Sequence, residues 1–190
     1  MRRRYIQVAK KMLRKTAVAL AAATCLTLGF LGNSTLLGAP ESPPLDVPRT
    51  PLRTIEIKNV IYNEAPERPL RLNIIAPQMD PSVKKPAVVY IHGGGWQRGT
   101  WHTERNRFLA QRGYLTVSIE YRFSQEAIFP AQIEDAKTAV RWLRAYADIF
   151  GIDPNRIGAW GHSAGGFLAL LLGTSGGVED LEGYGGYHPY

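Results

Sequence analysis

The sequence has one cysteine, Cys25, and no acidic residue before Glu41. A single thiol excludes an intrachain disulfide framework and a cysteine-based metal site. The four histidines (His92, His102, His162 and His188) show no H-x-x-x-H spacing, so no metal-ligand signature is visible. The apolar or small run Ala17–Gly32 is shorter than the roughly 20 residues of a bilayer-spanning helix. The net charge of +7 looks like a nucleic-acid signal, but Arg2, Arg3, Arg4, Lys10, Lys11, Arg14 and Lys15 account for all of it. Beyond them basic and acidic residues balance, so a phosphate-binding groove and a nucleic-acid partner are excluded. At 45% hydrophobic and 21% charged, the 190 residues suit one globular domain rather than a disordered chain.

The basic start followed by an uncharged apolar run reads as an export signal over residues 1–39, with Leu37-Gly38-Ala39 as the cleavage site. The protein is then periplasmic or secreted. The alternative is a membrane anchor formed by residues 17–32, the only membrane contact expected. Pro40, Pro43, Pro44, Pro48 and Pro51 make residues 40–52 an extended linker.

The remainder reads as a folded domain over residues 53–174 and a Gly-rich tail over 175–190. Thr54–Tyr62 and Leu70–Ala76 are rich in β-branched or alternating apolar residues and are expected to form an antiparallel pair. Ala87–Ile91 is continuously apolar, as a strand covered on both faces would be. A helix is predicted from Thr103, as N-cap, to Arg112, and a strand over Leu115–Ile119. Pro130 opens a long helix whose apolar positions Ile133, Ala136, Val140, Leu143, Ala147 and Phe150 lie on one face, with Gly151 as its stop. Asp153-Pro154-Asn155 is a turn, Arg156–Trp160 a strand, and Ala164–Leu172 a helix apolar enough to be buried. This order predicts an α/β fold, with a mainly parallel sheet, an N-terminal antiparallel pair and helices on both faces.

Two glycine clusters follow predicted strands. His92-Gly93-Gly94-Gly95-Trp96 follows AVVYI, and Gly161-His162-Ser163-Ala164-Gly165 follows RIGAW. Gly161-x-Ser163-x-Gly165 fits a nucleophile elbow, a sharp strand-to-helix turn in which flanking side chains would collide. The helix behind it presents free N–H groups, so the Ala164 N–H is a candidate oxyanion donor. The 93–95 loop supplies one or two more, because glycine lets a backbone approach a reacting carbonyl closely. Chance occurrence is about 0.07 for the first pattern and about 0.004 for His-Gly-Gly-Gly.

With these motifs in place, the chain resembles the α/β-hydrolase superfamily. More narrowly, it resembles hormone-sensitive-lipase-like carboxylesterases and the bifunctional feruloyl and acetyl xylan esterases. The similar stretches are YIHGGGW (90–96), EYRF (120–123), FPAQIEDAKTAVRWL (129–143), DPNRI (153–157) and GHSAGGFL (161–168). The resemblance implies Ser163 as nucleophile and Gly93, Gly94 and Ala164 as oxyanion hole. It implies ester hydrolysis through an acyl-enzyme, without metal or cofactor, on a small-molecule or polysaccharide-linked ester. Trp96, Trp101 and Phe123 are candidate pocket walls, with plain packing as the alternative.

In this superfamily the acid and then the base follow the serine in chain order. Only 27 residues follow Ser163, with His188 as their one histidine, so the fold is expected to be incomplete: a front half lacking the triad acid and base, inactive or crippled alone. A non-catalytic remnant or binding module, and one half of a split esterase, are the alternatives. His162 and His188 are read as loop residues rather than bases, His92 as a structural residue of the glycine loop, and His102 as exposed. Glu134 and Asp135 are read as a solvated or salt-bridged face. An unpaired RIGAW strand would be an open sheet edge and a route to self-association.

Overall fold

The computed structural model describes residues 50–183. The predicted export signal with Cys25, most of the Pro-rich linker and the end of the tail with His188 lie outside the described residues.

Among the described residues five strands form one mixed sheet in the order β1-β2-β4-β3-β5. β1 (Thr54–Glu64) pairs antiparallel with β2 (Pro69–Pro77), and β2 antiparallel with β4 (Leu115–Ile119). β3 (Lys85–Ile91) lies between β4 and β5 (Ile152–Gly161), parallel to both. β3 carries the continuously apolar run Ala87–Ile91, as a strand covered on both faces would. β4 is fully buried although Thr116 and Ser118 interrupt its apolar residues, their hydroxyls donating to the Ile75 and Trp101 carbonyls at 3.3 and 2.7 Å. Among the described residues four helices surround the sheet: α1 (Arg107–Ala110), α2 (Ala131–Ala145), α3 (Ala147–Phe150) and α4 (Ala164–Thr174). The expected α/β-hydrolase architecture, with its antiparallel N-terminal pair, is the one observed.

Several local expectations need correction. The helix predicted over Thr103–Arg112 shrinks to α1. Thr103 does not cap it; its hydroxyl accepts the Arg105 N–H at 3.1 Å in a local turn. The polar stretch Thr103–Asn106 offers no apolar face to bury, and side-chain–backbone bonds of this kind compete with helix. The long helix breaks at Tyr146, which separates α2 from α3, and Gly151 at φ 64° ends α3. α2 is buried nearly all round rather than on one stripe: Gln132, Asp135, Lys137, Thr138 and Arg141 are buried beside Ile133, Ala136 and Leu143. β5 starts before the predicted Arg156, at Ile152; the Asp153-Pro154-Asn155 turn survives as an irregularity in its pairing with β3.

α4 is not the buried helix its composition predicts. Only Ala164, Gly165 and Leu168 are buried, while Phe167 and Leu170 are 51% and 67% exposed. The first part of the Gly-rich tail is structured. A short 3-10 turn, Glu179–Leu181, precedes Glu182, whose carboxylate takes Lys137 Nζ at 2.6 Å. Among the described residues β5 pairs with β3 alone, so its other edge is open. No helix among them is long and apolar enough to cross a membrane.

Candidate active site

β3 and β5 run parallel and in register, with Ile91 opposite Gly161. Their following loops therefore leave the same end of the sheet side by side, where open α/β sheets place ligands. At the elbow, sterics demand glycine. A Cβ on Gly161 would lie 2.5 Å from the Ile91 carbonyl oxygen, and one on Gly165 only 2.1 Å from it. The turn from β5 into α4 thus presses on the β3 backbone at two points where no side chain fits.

Ser163 sits between these glycines at φ 52° and ψ −127°, exposed to solvent. A positive φ is costly for a serine and is sustained by the surrounding turn. Gly165 N–H donates to the His162 carbonyl and Phe167 N–H to the Ser163 carbonyl, both at 3.0 Å. Ala164 is the first residue of α4, so its N–H has no intrahelical acceptor.

The glycine loop meets this elbow directly. A Cβ on Gly93 would lie 2.8 Å from the His162 carbonyl oxygen. Gly94, at φ 124°, has its Cβ position 1.9 Å from the Arg98 carbonyl oxygen, because the loop folds back there in a tight turn. Gln97 N–H and Arg98 N–H close that turn on the Gly94 carbonyl at 3.2 and 3.3 Å. The structure therefore sets Gly93 against His162, the residue next to Ser163 and Ala164 in the elbow, with Gly94 following in the same loop.

Trp96 adopts φ 59°, is 37% exposed and meets Phe167 edge-to-face at 5.7 Å. It joins the glycine loop to α4 at the rim of the corner. Phe123 packs edge-on to Tyr121 and His92 behind the loop, and Trp101 packs against His102 with the rings tilted by 33°.

The described histidines are committed elsewhere. His92 is buried, and burial holds its pKa below the usual imidazole value. Its Nδ1 bonds the Gly93 carbonyl at 2.8 Å, in keeping with a structural role. His162 Nδ1 pairs with the Tyr90 hydroxyl at 3.2 Å, and the exposed His102 with Asn73 at 3.2 Å. Among the described residues no side chain hydrogen-bonds to the Ser163 hydroxyl, and no three His, Cys, Asp or Glu cluster to hold a metal.

Glu134 and Asp135 are salt-bridged to Arg122, one of the two alternatives expected of them, but Asp135 is not on an exposed face. It is fully buried and accepts Arg122 Nε at 3.0 Å, Arg122 N–H at 2.9 Å and Asn63 Nδ2 at 3.1 Å. Burial raises its pKa against the opposing pull of Arg122. For Arg122, burial works against the charge, and the Asp135 carboxylate more than offsets it, so its pKa rises. Residue-level reasoning missed this pair and Tyr121. Their one signal was the EYRF stretch ending a strand, which says nothing about its partners.

A family model, BD-FAE, matches residues 72–189. The chain is 33% identical over 141 residues to esterase LipC of Mycobacterium tuberculosis, covering 72% of this chain and 34% of that protein. It is 35% identical over 132 residues to bovine (Bos taurus) arylacetamide deacetylase, covering 66% of this chain and 32% of the relative. Among solved structures, esterase B from Lactobacillus rhamnosis superposes with a TM-score of 0.60 at 30% identity, covering 70% of this chain and 45% of the other. The chain thus spans about a third of the length of these curated relatives. It belongs to the BD-FAE family, among the hormone-sensitive-lipase-like esterases of the α/β-hydrolase fold.

Proposed function

We propose that this chain carries the nucleophile and oxyanion hole of a serine carboxylesterase. The observation that bears most weight is Ser163, held at φ 52° on a turn that tolerates only glycine at 161 and 165, against the Gly93–Gly94 loop. The Ser163 Oγ attacks the ester carbonyl and forms a C–O bond. Negative charge moves to the carbonyl oxygen, where the N–H groups of Ala164, Gly93 and Gly94 receive it. A base takes the Ser163 proton during the attack. Collapse breaks the ester C–O bond and returns that proton to the departing alcohol. Water, giving its proton to the same base, then cleaves the acyl-enzyme to release the acid and restore Ser163.

A serine hydroxyl is a weak nucleophile until a base takes its proton. We place that base and its acid outside the described residues, so residues 50–183 alone are expected to be crippled. Oxyanion stabilisation without a triad still leaves roughly 10³–10⁴-fold over water. Export, guided by the N-terminal pattern, and an ester with a small acyl group complete the reading. Support for the acyl group comes from the esterase B structure, which is of the enzyme inhibited by a C4 tributyrin phosphonate. Trp96 at the rim is the proposed pocket wall.

The test is covalent labelling of the full chain with a fluorophosphonate probe, alongside hydrolysis of p-nitrophenyl butyrate. Labelling that is lost in Ser163→Ala supports the reading. Labelling or hydrolysis that persists in Ser163→Ala overturns it.

A further inference from the structure

The stretch Glu120–Ala127, between β4 and α2, takes no part in the chemistry proposed for Ser163. Yet three of its residues hold the glycine loop. The Tyr121 hydroxyl donates to the His92 carbonyl at 3.1 Å, and its ring stacks on the His92 ring at 4.5 Å. Ser124 N–H donates to the Trp96 carbonyl at 2.8 Å, and Gln125 Nε2 to the Gln97 carbonyl at 3.2 Å.

The first of these bonds has a stereochemical consequence. The His92 carbonyl and the Gly93 N–H belong to one peptide unit, and that peptide is trans. A trans peptide is planar, with C=O and N–H pointing in opposite directions. Anchoring the oxygen therefore aims the N–H. The next peptide repeats the device. The Gly93 carbonyl can only accept, so His92 Nδ1 carries the proton and donates to it at 2.8 Å, which aims the Gly94 N–H. Tyr121 itself is fully buried and cannot wander. Its neighbour Arg122 is clamped at N–H and guanidinium by Asp135, and at its carbonyl by Gln132 Nε2 at 3.1 Å.

We propose that Tyr121 is a positioning residue of the oxyanion hole, whose hydroxyl fixes the 92–93 peptide so that the Gly93 N–H faces the acyl oxygen on Ser163. This rests on the esterase reading for the roles of Ser163 and Gly93. The geometric part, Tyr121 anchoring the peptide, stands without it.

Tyr121→Phe removes the hydroxyl and keeps the stacked ring. Two measurements on the full chain decide the matter. The first is the rate of Ser163 labelling by a fluorophosphonate. It is expected to fall about 10-fold in the maximal rate, with half-saturation unchanged, which is less than the ~10²–10³ of deleting an oxyanion donor. The second is the NMR position of the His92 carbonyl carbon and the Gly93 amide. The carbonyl should move upfield in Tyr121→Phe and downfield with 3-fluorotyrosine, a stronger donor of nearly the same shape, at position 121. Unmoved His92 and Gly93 resonances in both variants overturn the anchor. Moved resonances with an unchanged labelling rate overturn its role in the oxyanion hole. Labelling that persists in Ser163→Ala overturns the esterase reading instead, and the resonances then judge the anchor alone.

Discussion

The two loops that meet at the site are held in place by different forces. The elbow after β5 is a steric object: Gly161 and Gly165 are pressed against the Ile91 carbonyl, and Ser163 is driven to φ 52° by the turn they permit. Its geometry follows from residues within a five-residue motif and from one neighbouring strand. The glycine loop after β3 is held by hydrogen bonds from residues distant in sequence, with Tyr121, Ser124 and Gln125 carrying three of its carbonyls. The nucleophile is thus placed by exclusion of atoms alone, while the oxyanion loop, tight at Gly93 and Gly94 as well, also depends on bonds borrowed from elsewhere. Changes of volume should break the first, and changes of polarity or pH the second.

The largest expected effect is steric. Gly165→Ala puts a Cβ 2.1 Å from a backbone oxygen that cannot yield, so Ser163 labelling should fall by at least about 10²-fold and Tm should drop. Gly95→Ala is the sharpening control. Gly95 sits at φ 62° with nothing near its Cβ position, so the alanine should cost only about 1–2 kcal/mol of stability, through conformational strain, in a denaturant titration. Equal losses at the two positions would erase the contrast between steric and conformational control.

Next comes the support of the glycine loop. Arg122→Met leaves Asp135 buried without its cation and is expected to lower unfolding free energy by about 3–5 kcal/mol. The double variant Arg122→Met/Asp135→Leu should lose less than Arg122→Met alone, since no charge is then stranded. Denaturant midpoints of the three proteins check this order.

A smaller effect is expected from pH. Burial depresses the folded pKa of His92, so the unfolded chain binds that proton first, and stability should fall as pH drops through the usual 6.5. The Arg68 side chain bonds Glu126, whose carboxylate also accepts the Phe123 N–H at 2.8 Å, and lowers its folded pKa. That contribution is present above the usual 4.5 and is lost as pH falls through the depressed value. A Tm titration should therefore decline in two steps toward acid, and Glu126→Gln should shrink the lower one.

The smallest effect on stability concerns the open edge of β5. Gly158 lies on that strand with open space at its Cβ position. Gly158→Lys should leave Tm nearly unchanged and reduce any self-association through the edge, as charged edge strands do. Sedimentation velocity at several concentrations measures it. Association undiminished by the lysine would locate the contact on another surface, with Phe167 and Leu170 as the next place to look.

Much of this molecule was legible in its residues. The apolar run Ala87–Ile91 identified β3 as a strand covered on both faces, whereas β4 is just as buried with Thr116 and Ser118 in it, because each hydroxyl finds a backbone carbonyl that only the fold supplies. The α2 pattern was legible in place but not in character. Its apolar face was visible, while the burial of Asp135, Lys137 and Arg141 depends on Arg122, Ser175 and Glu182 arriving from other elements. The start of the predicted 103–112 helix is overwritten by local side-chain bonds, and α4 has the composition of a buried helix although much of its surface faces solvent. Composition reports that a helix is apolar, not that something covers it.

By itself the sequence determined the α/β order of elements and the serine elbow with its glycines, because periodicity and close backbone approach are written in residue type and short spacing. Only the tertiary structure decided which residues hold the oxyanion loop and which charges are buried together. Those contacts join residues far apart in the chain (His92 with Tyr121, Asn63 with Asp135), and no local spacing encodes a meeting that the sheet topology brings about.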